Sequence, residues 1–193
     1  MNLSTPATVL IVPGLRDHVA QHWQTLLAAQ LPRAHTVPPL GREDLDCQRR
    51  VDAVEHAIRS IHGPVVVVAH SGGCITVAHC AARTRLGGRV RGALLATPPD
   101  FDQPMPEGYP HTDSLRAAGW FPVPRQPLPF PSLVATSEND PLGAVDKVQL
   151  LAKAWGSRLV SLGAVGHLNP ASGFGEWPQA LDLIASLDNS GEI

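Results

Sequence analysis

Cysteine is scarce in this chain: Cys47, Cys74 and Cys80 are the only three among 193 residues. An odd, sparse set with no CxxC pair excludes a disulfide framework. Reduced thiols are the simpler reading, and they fit a cytoplasmic protein. A block of basic charge is also missing, and the formal net charge is −2. Neither nucleic acid nor an anionic membrane surface is therefore an expected partner. Long apolar runs are absent as well. Residues 65–69 fall far short of the ~20 residues that a spanning helix needs. The opening MNLSTPATVLIVPG has no basic n-region and is not expected to act as a signal peptide. His70-Ser71-Gly72-Gly73 lacks the lysine of a phosphate-binding loop. Nine histidines invite a metal reading, and His18 and His22 stand one helical turn apart. No glutamate follows His18, so the HExxH pattern is not there. Neither a metal nor a cofactor is expected.

What is present reads as a globular α/β protein. Hydrophobic residues make up 44% and charged residues 17%, which excludes a disordered chain. A length of 193 residues suits one domain over 1–193, with roughly 70% of the unfolded surface buried. Short apolar runs at 9–12, 65–69, 92–96, 132–136 and 158–162 predict strands, with a short edge strand at 35–37. Residues 65–69 are apolar at every position, as in a strand covered on both faces. Helical spacing predicts helices over 18–31, 44–61, 74–83, 145–155 and 176–187. This alternation argues for a mostly parallel sheet with helices on both faces.

Residues 98–131 hold ten of the nineteen prolines. Proline removes a backbone donor and fixes φ, so an irregular loop at the sheet's edge is expected. It connects two strands near their carboxyl ends, where α/β sites form. Its aromatics, Phe101, Tyr109, Trp120, Phe121 and Phe130, either line a pocket or hold the loop together. Trp120 and Phe121 are the two assigned to a substrate pocket.

Ser71 follows the all-apolar run directly, in Ala69-His70-Ser71-Gly72-Gly73. A nucleophile elbow has the form G-x-S-x-G at a strand-to-helix turn. The flanking positions must be small, and Ala69 in place of glycine keeps that condition. The turn would expose the Ser71 hydroxyl and aim the Gly72 amide at a developing oxyanion. A second amide should come from the loop after the first strand, with Leu15 the expected donor and Arg16 next. A serine hydroxyl needs a base, and the base needs an orienting carboxylate. His167 and Asp140 follow successive strands, in the chain order serine, acid, histidine. Asp100, after strand 92–96, is the rival acid. His70 is expected to pack beside the elbow, and Cys74 to lie in the core.

These motifs resemble the retinoblastoma-binding protein nine or YdeN-like family of small serine hydrolases. The matching pieces are Pro13-Gly14, His22-Trp23, Ala69-His70-Ser71-Gly72-Gly73, Thr97-Pro98-Pro99-Asp100, Ser137-Glu138-Asn139-Asp140-Pro141, Gly166-His167-Leu168-Asn169 and Gly173-Phe174-Gly175-Glu176-Trp177-Pro178. The resemblance implies a compact α/β-hydrolase fold without a large cap domain. It implies a triad of Ser71, Asp140 and His167 and hydrolysis of small carboxylic esters. Some members are named for a protein partner, and nothing in this chain identifies one. The alternatives are an amide or thioester hydrolase on the same triad, or a binding module that keeps the fold without turnover.

Overall fold

The computed structural model describes residues 6–16, 19–84 and 88–189. Six strands form one sheet: β1 (Thr8–Val12), β2 (Ala34–Thr36), β3 (Val65–His70), β4 (Val90–Ala96), β5 (Ser132–Thr136) and β6 (Arg158–Ser161). Their spatial order is β2-β1-β3-β4-β5-β6, and every neighbouring pair is parallel. Between the strands run α1 (Trp23–Gln30), α2 (Cys47–Ser60), α3 (Gly72–Arg83), α4 (Thr112–Ala117) and α5 (Val145–Trp155), and α6 (Gln179–Asn189) ends the described chain.

The sheet separates two apolar layers, because successive strand side chains point to opposite faces. On β3, Val65, Val67 and Ala69 face one layer, where Val54, Ile58, Ile75 and Trp155 pack from α2, α3 and α5. Val66 and Val68 face the other layer, with Trp23 and Leu27 of α1 and Ile184 of α6. All six residues of β3 are buried, as expected of a covered central strand. Burial of each large side chain stabilises the fold by roughly 1.5–3 kcal/mol.

The helix starts differ from the sequence expectation for local reasons. In α2 the Asp46 side chain accepts the Arg49 N–H at 2.9 Å, so the helix begins at Cys47, three residues later than expected. In α1 the cap is His22, whose Nδ1 accepts the Gln24 N–H, so His22 precedes the helix. The spacing drawn between His18 and His22 cannot be followed, since residue 18 lies outside the described residues. The proline-rich segment is largely irregular, but it contains the short α4. Among the described residues, no helix is long and apolar enough to cross a membrane.

Candidate active site

β3 ends at His70 and α3 begins at Gly72, so Ser71 alone makes the turn between them. Its φ of 54° and ψ of −130° are uncommon for a residue with a side chain. Small neighbours make this turn sterically feasible. A Cβ on Gly73 would lie 2.6 Å from both Val12 O and Pro13 O, so the loop after β1 crosses directly over the start of α3. Leu15 and Gly72, the residues expected to supply oxyanion amides, both line the cavity in front of Ser71.

His167 reaches Ser71 from the far end of the chain. Its Nε2 lies 2.8 Å from Ser71 Oγ. Its Nδ1 lies 3.0 and 2.9 Å from the two carboxylate oxygens of Asp140. A carboxylate only accepts, so Nδ1 carries the proton and Nε2 is left to accept the Ser71 hydroxyl. The imidazole and the carboxylate are almost wholly shielded from water. Asp140 is held in turn by the Leu142 N–H, which donates to Oδ1 at 2.9 Å. Asp100, the rival acid, is occupied elsewhere: its Oδ1 accepts the Asp102 N–H, and its own N–H donates to Leu142 O.

The loop that carries His167 is bolted to the one that carries Asp140. Asn139 Oδ1 accepts the Gly166 N–H at 2.6 Å and the Ser137 hydroxyl at 3.0 Å. Ser137 Oγ accepts the Val165 N–H at 3.1 Å. Gly166 has a φ of +63°, and a Cβ there would strike Ser172. Leu168, with a φ of 48°, drops its side chain fully into the second core layer. The imidazole is thus fixed from both sides in the chain. Asn139 lies within a motif that sequence reading singled out. Its positioning role was not visible there, because it depends on a loop far along the chain.

His70 packs behind His167. Its Nε2 lies 2.9 Å from His167 O, and so it carries the proton that this carbonyl accepts. The His22 and His167 rings flank it at 4.7 and 4.9 Å. Burial pushes the His70 imidazole well below its ordinary value of 6.5, and His167 and His22 push the same way. His70 is therefore neutral in the folded protein. The unfolded chain takes up a proton below about pH 6.5 that the folded chain refuses. Stability is therefore full above that pH and declines below it. Urea midpoints are expected to fall between about pH 7.5 and about pH 5.5, and His70→Gln is expected to shrink the fall. A wild-type midpoint that does not move with pH in this range contradicts the assignment.

The cavity in front of Ser71 has a volume of about 200 Å³. That is below the roughly 300–1,000 Å³ of pockets for drug-sized ligands. Leu15, Phe101, Met105, Leu115 and Leu142 are among its apolar lining residues, and Tyr109 stands edge-on to the His167 ring. Trp120 and Phe121 do not line it, which corrects the assignment made from sequence. Trp120 is fully buried, donates its indole N–H to Leu45 O at 2.7 Å and packs edge-on against Phe101 and His79. Phe121 lies under the Arg116 guanidinium, away from Ser71. Phe130 is buried in the core, and Cys74 is buried with its thiol directed at Ala96 O. Among the described residues, no three His, Cys, Asp or Glu side chains are grouped to hold a metal ion.

Known proteins share this architecture. A YdeN-like hydrolase from Pectobacterium atrosepticum superposes with a TM-score of 0.80 at 27% identity, over 95% of this chain and 91% of that one. The ydeN gene product of B. subtilis gives 0.71 at 17% identity, over 95% and 99%. Est1E from Butyrivibrio proteoclasticus, with ferulic acid bound, gives 0.67 at 14% identity, over 96% and 88%. This chain thus has the α/β-hydrolase fold, with no large cap among the described residues. No curated protein matches the chain. The sequence profile of the family described as "Serine hydrolase" matches residues 9–186. The chain belongs to that serine hydrolase family, as a YdeN-like small hydrolase of the α/β-hydrolase superfamily.

Proposed function

We propose that this hydrolase cleaves small carboxylic esters through a Ser71 acyl-enzyme, with His167 as base and Asp140 as its orienting acid. The unbroken chain of contacts from Ser71 Oγ through the imidazole to the Asp140 carboxylate carries the reading. In this scheme Ser71 sits at a nucleophile elbow, and its Oγ attacks the ester carbonyl carbon. The hydroxyl proton passes to His167 Nε2. Charge develops on the former carbonyl oxygen, where the Gly72 and Leu15 amides are the proposed donors. As the tetrahedral intermediate collapses, the C–O bond to the alcohol breaks. The alcohol leaves with the proton held by His167. A water then gives a proton to His167 and attacks the acyl carbon. Ser71 recovers a proton and the acid departs. The small, largely apolar cavity limits the acyl part to short or slender groups.

A fluorophosphonate probe tests the nucleophile. Wild type is expected to label stoichiometrically, and folded Ser71→Ala not at all. Failure of folded wild type to label, together with no turnover of p-nitrophenyl esters, would leave the binding-module reading in place. Equal labelling of Ser71→Ala would move the nucleophile elsewhere.

A further inference from the structure

Two arginines, Arg16 and Arg42, line the Ser71 cavity, and no carboxylate does so among the described residues. The chain has seventeen acidic residues and a net charge of −2, so this local imbalance runs against its overall charge. Both side chains stand on exposed residues, and neither forms an ion pair among the described residues. Like charges facing one cavity without a counter-charge repel. The loops that carry them are tied from inside by a third arginine. Buried Arg50 donates from Nη2 to Leu15 O at 3.4 Å, beside Arg16. The same Nη2 donates to Gly41 O at 3.2 Å, beside Arg42, and to Asp44 O at 2.7 Å. A buried bracket thus ties the loop after β1 to the loop before α2. Arg16 is further seated with its guanidinium over the Tyr109 ring, 4.7 Å from the centroid. Tyr109 in turn packs edge-on to His167. The cationic group is therefore one ring away from the proposed base.

We infer that this hydrolase selects anionic esters: substrates whose scissile ester lies at Ser71 and which carry a carboxylate that Arg16 and Arg42 bind at the cavity mouth. The inference rests on the ester-hydrolase reading above and adds to it the charge of the substrate. The apolar wall takes the carbon chain between the two groups, and the guanidiniums take the free carboxylate through charge-assisted hydrogen bonds.

The test compares mono(p-nitrophenyl) glutarate with its methyl-capped neutral counterpart, methyl p-nitrophenyl glutarate, on the full chain. Wild type is expected to prefer the anionic ester roughly fivefold in kcat/KM, the size suited to two solvent-facing ion pairs. The preference should lie in KM, and should shrink between about 0.05 and about 0.5 M salt. It should collapse in an Arg16→Gln, Arg42→Gln double variant. It should persist in part in Arg16→Lys, Arg42→Lys, which keeps the charge. Turnover of the neutral ester with no wild-type preference for the anionic one overturns the inference and leaves the ester hydrolase standing. So does a preference that survives in the double glutamine variant. Inactivity toward both esters, with no fluorophosphonate labelling, overturns the ester-hydrolase reading and this inference with it.

Discussion

Asp140→Asn is expected to lower kcat for a p-nitrophenyl ester by about 10⁴-fold with the fold intact. The carboxylate oxygens lie 3.0 and 2.9 Å from His167 Nδ1 and can only accept from it. A carboxamide can turn its NH₂ toward the ring and donate instead. That favours the other tautomer, with the proton on Nε2. Ser71 Oγ, 2.8 Å away, would then face an N–H and lose its base. Nearly isosteric replacement keeps the packing, so thermal melting should change little. Asp100→Asn is the control. The Asp100 carboxylate accepts the Asp102 N–H within its own turn, and its variant should turn over near the wild-type rate. Steady-state kinetics of both variants decides the matter. A large loss in Asp100→Asn with none in Asp140→Asn would reassign the acid.

Gly73→Ala is expected to be strongly destabilising for a single added methyl. The added carbon would sit 2.6 Å from two backbone oxygens, those of Val12 and Pro13. Backbone at the end of a buried strand cannot swing aside as the tip of a side chain can. Either α3 or the loop after β1 must shift, at a cost of about 3 kcal/mol, the upper end for overpacking. For a domain of this size that corresponds to a melting temperature lower by roughly 6–12 °C. The shift also moves Leu15 relative to Ser71, so esterase turnover should fall beyond what unfolding explains. Gly175→Ala is the matched comparison. Nothing lies within 4 Å of the position its Cβ would take, and it should melt close to wild type. Equal melting temperatures for the two variants would show that the crossing of the two segments is looser than described.

Much of the architecture was legible before any coordinates. Apolar runs mark the inner strands because a strand in a covered sheet must bury side chains on both faces, as Val65 to Ala69 do. Serine among small residues after such a run marks a tight turn, since larger neighbours would clash there. The short α4 was missed because the surrounding prolines dominate the local pattern. Trp120 and Phe121 were misplaced because composition tells that a loop has aromatic side chains but not which way each one points. Phe101 and Tyr109, from the same segment, reach the cavity instead.

The positioning contacts follow the same division. Asn139 fixes Gly166 across 27 residues, and Arg50 joins Leu15 to Gly41 across 35 and 9. By itself the sequence determined the alternation of strand and helix, the small-residue turn at Ser71 and the chain order of Ser71, Asp140 and His167. Each of these depends on neighbours within a few positions. The strand order, the contact of His167 with Asp140 and the placing of two arginines around one cavity belong to the tertiary structure. They depend on which distant segments lie side by side once the sheet has closed its register, and no local pattern encodes that distance.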